Sequence, residues 1–309
     1  MAVLQTWASI VASTLRSDKD IRENLQDAIY NVTPAETPFL SRLQQVAVTN
    51  NHVQWQTDTY RDAATNAQLE GIAYTSIDCT VPSRADNTTQ NFYESLAVSD
   101  RNRATLHAGF DDPFVYQETK KLVGIKRDVE LALVKGSAAT GTTGTASQLG
   151  GLMNIISTNN TSMSGITLTE TVFNNLLELV WTGSSVMPNE IFVGPKLRRT
   201  ISLYSTKVTP FIMADQKKQI LTTKMYDSDF GEVVVNLHRD LNSNGSTTEN
   251  EMLIVDPNWF ATGWLQPLRR EVLPRDGKRD RGQISCDLTL LYRNEKSAVA
   301  VTRVMPYIA

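Results

Sequence analysis

The sequence predicts an α+β fold on three observations: one long helix with both ends marked, a middle region where short apolar strands alternate with helices, and two C-terminal segments of strand periodicity. The helix spans 113–135. Asp112 supplies an N-cap acceptor, Pro113 suits the first helical position, and Gly136 offers a left-handed residue to stop the last turn. Val115, Leu122, Ile125, Val129 and Leu133 recur on one face, which Lys120, Lys121, Lys126, Arg127 and Glu130 mostly avoid. At 1.5 Å per residue it is roughly 33 Å long, about the width of a small domain.

Ahead of it, 17–30 reads as a short amphipathic helix with Ile21, Leu25, Ala28 and Ile29 on one stripe and Ser17 or Asp18 as cap. Thr33-Pro34 and Thr37-Pro38-Phe39 end it, because the residue before a proline is pushed out of the α region. Strand alternation follows at 53–56, and then 57–90 is polar with no sustained period. A compact monomer rarely carries such a stretch unless it packs on another molecule. Ile72, Tyr74, Ile77 and Val81 suit a thin two-stranded ribbon that needs a partner surface.

Behind the long helix, 136–151 is a flexible Gly/Thr-rich connector, and 169–181 is a helix capped by Thr169 and stopped at Gly183. Strands are expected at 190–193, 231–237 and 252–256, with a helix at 195–204. Asn242-Ser243-Asn244-Gly245-Ser246 is a polar turn. The end reads as a hairpin, 283–291 against 297–305 around a turn near Asn294.

Bulk composition narrows the function. With 41% hydrophobic and 20% charged residues the chain is ordinary globular material, and no run approaches the ~18 apolar residues of a membrane span. The start lacks a basic n-region, so a signal peptide is not expected. Cys79 and Cys286 are too far apart in sequence to suggest a metal spacing or disulfide framework. A net charge of −3 argues against a surface that grips nucleic acid throughout, although a local basic patch is compatible with it.

Catalytic signals are weak. Asp229-Phe230-Gly231 lacks the other kinase motifs and reads as a turn into a buried strand. No Lys follows Gly141 or Gly144, so the connector is no Walker loop. His52, His107 and His238 sit at no ligand spacing, and Ser184 and Ser185 lack a nucleophile elbow. The remaining cluster is Arg269, Arg270, Arg275, Lys278, Arg279 and Arg281, interleaved with Glu271, Asp276 and Asp280. Mixed signs suit ion pairs across a subunit contact, or a solvated face, better than a phosphate stripe.

Several segments in this order resemble the major capsid proteins of tailed bacteriophages with the Hong Kong 97-type fold, in particular the shorter major head proteins without a fused scaffolding region. They are 31–41 (NVTPAETPFLS) with Trp55 downstream, Glu70-Gly71, the helix through Arg127-Asp128-Val129-Glu130, Asp229-Phe230-Gly231, Leu273-Pro274-Arg275-Asp276-Gly277-Lys278, and Leu288-Thr289-Leu290 before Asn294-Glu295-Lys296. The resemblance implies an N-terminal arm at 1–45, an extended β loop at 46–108, and a peripheral domain at 109–151 and 268–309 around the spine helix 113–135. An axial domain would occupy 152–267.

It further implies a structural protein without catalysis, cofactor or metal, located in the virion capsid and made in the bacterial host cytoplasm. The subunit would assemble with itself as hexamers and pentamers, with possible cement, scaffolding and portal proteins. Packaged double-stranded DNA would be met by nonspecific contact, with no membrane. Candidate intersubunit residues are Trp55, Glu70 and Arg84 in the loop, with Arg275, Lys278, Arg279 and Arg281 as ionic partners in a neighbour. Some members of the fold weld subunits through a lysine in the extended loop. Here no lysine lies between Lys19 and Lys120, so such cross-linking is not expected. Rival readings are an encapsulin-like compartment of the same fold, a tail-tube or adaptor protein, and a soluble enzyme.

Overall fold

The computed structural model describes residues 36–73, 81–184, 186–204, 225–241 and 250–307. The expected helix at 17–30 and turn at 242–246 lie outside them. Two sheets dominate. The first runs β1 (Gln44–Ala47), β10 (Phe260–Leu273), β11 (Arg279–Tyr292), β4 (Gln90–Ser99), antiparallel except for β1 beside β10. The second runs β5 (Asn160–Ser162), β12 (Ala298–Val304), β9 (Asn250–Val255), β6 (Glu190–Val193), β8 (Gly231–Leu237), β7 (Met225–Ser228). A separate two-stranded ribbon pairs β2 (His52–Thr57) with β3 (Ser83–Thr88).

Helix α1 (Asp100–Ala104) leads into the long helix α2 (Pro113–Lys135), whose ends fall where the sequence puts them. Asp112 Oδ1 accepts from the Phe114 N–H at 2.9 Å. Gly136 is not left-handed, with φ −53. It is needed for close approach instead: a Cβ there would lie 2.5 Å from the Ala132 carbonyl and 2.6 Å from that of Leu149. Phe114, Ile125, Val129, Leu133 and Val134 are buried, whereas Val115 is exposed and Glu130 is buried, reversing the expectation for both.

Helix α2 lies on the first sheet, where Ile125, Val129 and Leu133 share a core with Phe92, Ile284 and Leu288. The second sheet is covered on both faces. Leu253 and Val255 of β9 enter that same core, while Met252 and Ile254 enter a second core with Phe173 and Leu177 of α4 (Glu170–Ser184) and Leu197 and Ile201 of α5 (Pro195–Tyr204). One short helix, α3 (Leu152–Ile155), contributes Leu152 to the first core. Thr169 caps α4 by accepting from the Val172 N–H at 3.3 Å, as expected, but the helix runs through Gly183 to Ser184.

Four expectations change. The C-terminal hairpin does not form: β11 pairs with β10 and β4, and β12 pairs with β5 and β9 in the other sheet. Ala298, Val299, Ala300 and Val301 are all buried, the continuous apolar run of a strand covered on both faces. Asn294 accepts from Lys296 N and turns the chain between sheets. Glu295 then accepts from Ser157 N, Ser157 Oγ and Thr158 Oγ1, and although burial opposes it, these bonds hold its carboxyl below the usual range.

The boundary expected at 267/268 falls inside β10. Pro267 sits in the register shift between Gln266 and Arg269, beyond the stretch that β1 pairs, where a missing N–H is tolerated. The ribbon is built from 52–57 and 83–88 rather than around Ile72 and Val81, which lie outside the strands; Tyr74 and Ile77 lie outside the described residues. The 136–151 connector is pinned rather than free: Ala139 pairs with Gln148, and Ser147 Oγ donates to the Thr89 carbonyl at 2.7 Å.

Candidate assembly surface

The ribbon's far end leads into residues that carry no strand or helix over 58–73. Thr57 lies opposite Ser83, and every described residue from 58 to 73, with 81 and 82, is exposed. Tyr60 is 101% exposed, Leu69 80% and Val81 86%, so these large apolar side chains are little covered by the described residues. Glu70 is exposed in a turn closed by Ile72 N–H donating to the Leu69 carbonyl at 3.3 Å. Arg84 is exposed on β3 opposite Gln56. Neither has an ion-pair partner among the described residues. Trp55 is different: half-buried opposite Ala85, it packs edge-on against Tyr292 at 4.9 Å and serves the ribbon's root.

That root is fastened by Asn87, only 4% exposed. Its Nδ2 donates to the carbonyls of Leu290 (2.8 Å) and Gly150 (3.1 Å), and its Oδ1 accepts from the N–H groups of Gly150 (2.8 Å) and Thr88 (2.9 Å). Two strands and the connector behind α2 thus meet on one side chain.

The basic cluster gathers at the tip of the β10–β11 hairpin, and it is largely paired within the chain. Arg103 of α1 bridges Asp280 (2.7 Å) and Asp112 (2.8 Å). Arg275 pairs with Asp100 and Asp280, Arg279 with Asp276 at 2.8 Å, Arg269 with Glu271, and Arg270 with Glu118. The Phe114 N–H, and then Arg103, hold the Asp112 carboxyl below the usual range. Exposed pairs of this kind are screened by water and salt, so they order the tip more than they stabilise the fold. Lys278 and Arg281 have no ion-pair partner among the described residues. The structure therefore brings Arg275, Lys278, Arg279 and Arg281 together and leaves Trp55, Glu70 and Arg84 on the separate ribbon.

A third feature joins distant parts of the chain. Glu130 of α2, 1% exposed, accepts from the N–H groups of Phe39 and Leu40, both at 2.7 Å, and from His238 Nε2 at 2.9 Å. His238 Nδ1 accepts from the Asp240 N–H at 3.2 Å, which places the ring proton on Nε2. Among the described residues no group of three His, Cys, Asp or Glu could hold a metal, and no helix is long and apolar enough to cross a membrane.

The sequence model of the SU10 major capsid protein family matches residues 5–304. This chain belongs to that family. A curated major capsid protein of Escherichia phage Phieco32 is 31% identical over 110 residues, which is 35% of this chain and 31% of that relative's length. Similar solved structures include the capsid of an empty GTA particle computed with C5 symmetry (TM-score 0.65, 12% identity, 96% of this chain and 99% of that one). They also include a structure of Gordonia phage Cozz (0.62, 12%, 99% and 97%) and the holo-SrpI encapsulin complex of Synechococcus elongatus PCC 7942 (0.59, 12%, 100% and 99%). Likeness at such identity establishes the fold, which is the Hong Kong 97-type capsid fold.

In this SU10-family capsid chain the sequence reading missed Glu130 and Asn87. Glu130 carried a legible signal, since it lies three residues before Leu133 and four before Val134, on their side of the helix. Asn87 carried none, because an Asn in a polar stretch looks solvated. Asp287 was also missed. Burial pushes its carboxyl above the usual range, against a hydrogen bond from Thr89, and Oδ1 has no partner among the described residues. A raised folded-state pKa means the fold favours the protonated form, so stability falls as pH rises from the ordinary Asp range through the folded pKa. Asp287→Asn, which cannot ionise, is expected to raise the melting temperature at pH 7 by about 2 °C and to lose that advantage near about pH 4. A melting series that shows an equal difference at both pH values would refute this.

Proposed function

We propose that this chain is the major head subunit of a tailed phage, a structural protein that assembles with itself as hexamers and pentamers into an icosahedral shell around double-stranded DNA. The family match over 5–304 carries the reading, and the loop supports it. An isolated subunit that exposes Tyr60, Leu69 and Val81 forfeits their burial, whereas a neighbour laid against the loop recovers it and offsets the ordering cost. Working chemistry is then shape, apolar contact and ion pairing, with no catalytic step, cofactor or membrane. Scaffolding, cement and portal proteins would be its assembly partners, and synthesis would take place in the host cytoplasm.

The sheets suggest the division of labour. We assign 1–45 to an N-terminal arm and the ribbon with its loop, within 46–108, to the extended loop. The four-stranded sheet with α2 makes the peripheral part, and the six-stranded sheet, including β12, the axial part. Negative-stain electron microscopy and light scattering on the purified chain test the whole reading. Closed particles, or hexamers and pentamers, are the expected result; a monodisperse monomer of 34.4 kDa at all salt and protein concentrations counts against it. A single co-purified protein in place of DNA would move the assignment to a cargo compartment of the same fold.

Glu70 is proposed to pair across subunits with the hairpin tip, and Lys278 and Arg281 are its best targets, because Arg275 and Arg279 already hold acids of their own chain. One exposed pair is weak, about 0–1 kcal/mol, but it recurs at every interface of a shell. Glu70→Lys should therefore leave the chain soluble and cut particle yield about tenfold, and Lys278→Glu in the same chain should restore part of it. Normal yields from the single variant would exclude the pairing.

A further inference from the structure

Beside α2 lies an open groove of about 670 Å³, walled by β1, β10 and the long helix. Its lining is mainly apolar: Leu40, Val46, Ile125, Val129, Trp264 and Leu268, with Lys126 beside them. Val46 remains 36% exposed. Thr37, one residue past Glu36 where the first described stretch begins, is itself part of the lining. Upstream lies segment 17–30, which reads from the sequence as amphipathic with a stripe of Ile21, Leu25, Ala28 and Ile29.

We propose that residues 17–30 of the same chain dock in this groove, apolar stripe inward. Length permits it: 31–36 reach roughly 20 Å when extended, and a helix over 17–30 is about 21 Å long. A tether of so few residues holds the segment near the groove at an effective concentration on the order of millimolar, which favours the chain's own copy. Charge agrees. The segment carries Asp18, Asp20, Glu23 and Asp27 against Lys19 and Arg22, while Lys126 has no ion-pair partner among the described residues. Docking would hide the groove's apolar walls and tie the arm to the long helix within one subunit, leaving the extended loop as the element that reaches a neighbour.

The test is a cysteine pair in the full chain with Cys79 replaced by Ser and Cys286, which lines the groove, replaced by Ala. Leu25→Cys with Val46→Cys, oxidised mildly and run on a non-reducing denaturing gel, should give a fast-migrating, internally bridged monomer. Glu23→Cys with Val46→Cys should bridge about fivefold less, because residues two apart point to different sides of a helix. Bridging mainly between chains would assign the groove to a neighbour's arm and overturn the proposal. Absence of bridging from both Leu25→Cys and a second site, Ile21→Cys, would overturn it as well, as would equal bridging from Glu23→Cys.

Discussion

Glu130→Ala will cost the chain about 3–5 kcal/mol of folding stability, because it strips three donors of their acceptor. Among the described residues the carboxylate is the acceptor for two backbone N–H groups, those of Phe39 and Leu40, and for the Nε2 proton of His238. Alanine leaves all three donors inside the protein unpaired, and each such group costs about 1–3 kcal/mol before relaxation. Glu130→Gln separates shape from chemistry. The side chain fits, but one oxygen becomes an N–H₂ that must face a donor, so most of the loss, about 2 kcal/mol or more, should remain. Urea unfolding of the unassembled chain measures both. Losses below about 1 kcal/mol would mean that water replaces the carboxylate and that Glu130 is not the clamp described.

The second large effect belongs to Asn87→Ala, expected to cost about 2–4 kcal/mol and to act mainly on the ribbon. Three of the four Asn87 hydrogen bonds join the ribbon's root to the connector at Gly150 and to β11 at Leu290, the fourth accepts from the adjacent Thr88 N–H, and an alanine supplies none of them. Asn87→Asp is a sharper probe. It keeps the shape but turns the donor that faces two carbonyls into an anion, so it should be no better than alanine. Limited proteolysis should show cleavage within 58–82 accelerating at least about tenfold in both variants while the remainder of the chain resists. Unchanged cleavage would show that the strand ladder alone holds the ribbon.

These two residues mark where sequence reasoning stopped. Helix α2, β6, α5 and β8 have the bounds read from the sequence, because their signals are local: a capping Asp and Pro, short apolar runs, a glycine at a tight approach. Strand β3 was illegible, since Ser83–Thr88 is polar apart from Ala85 and is held in place by what Asn87 and Thr57 touch far along the chain. The basic cluster reads from the sequence as ion pairs across a subunit contact or as a solvated face, and in the structure Arg269, Arg270, Arg275 and Arg279 pair within the chain. Asp100 and Glu118, which pair with Arg275 and Arg270, come from more than 150 residues earlier.

By itself the sequence determined the α+β class, the long helix, the exposed polar loop, the absence of a lysine in that loop, and a resemblance that placed the chain among phage head proteins. Periodicity reports how much of each face is buried, and that is a local property of side-chain spacing. Only the tertiary structure decided what does the burying. It sent β11 and β12 to different sheets, ran β10 through Pro267, gave one carboxylate of α2 to the backbone at Phe39 and to His238, and spent most of the hairpin tip's charge within the subunit. Pairing and hydrogen-bond partners join residues tens to hundreds of positions apart, and no spacing along one chain encodes which of many compatible partners the packed core brings together.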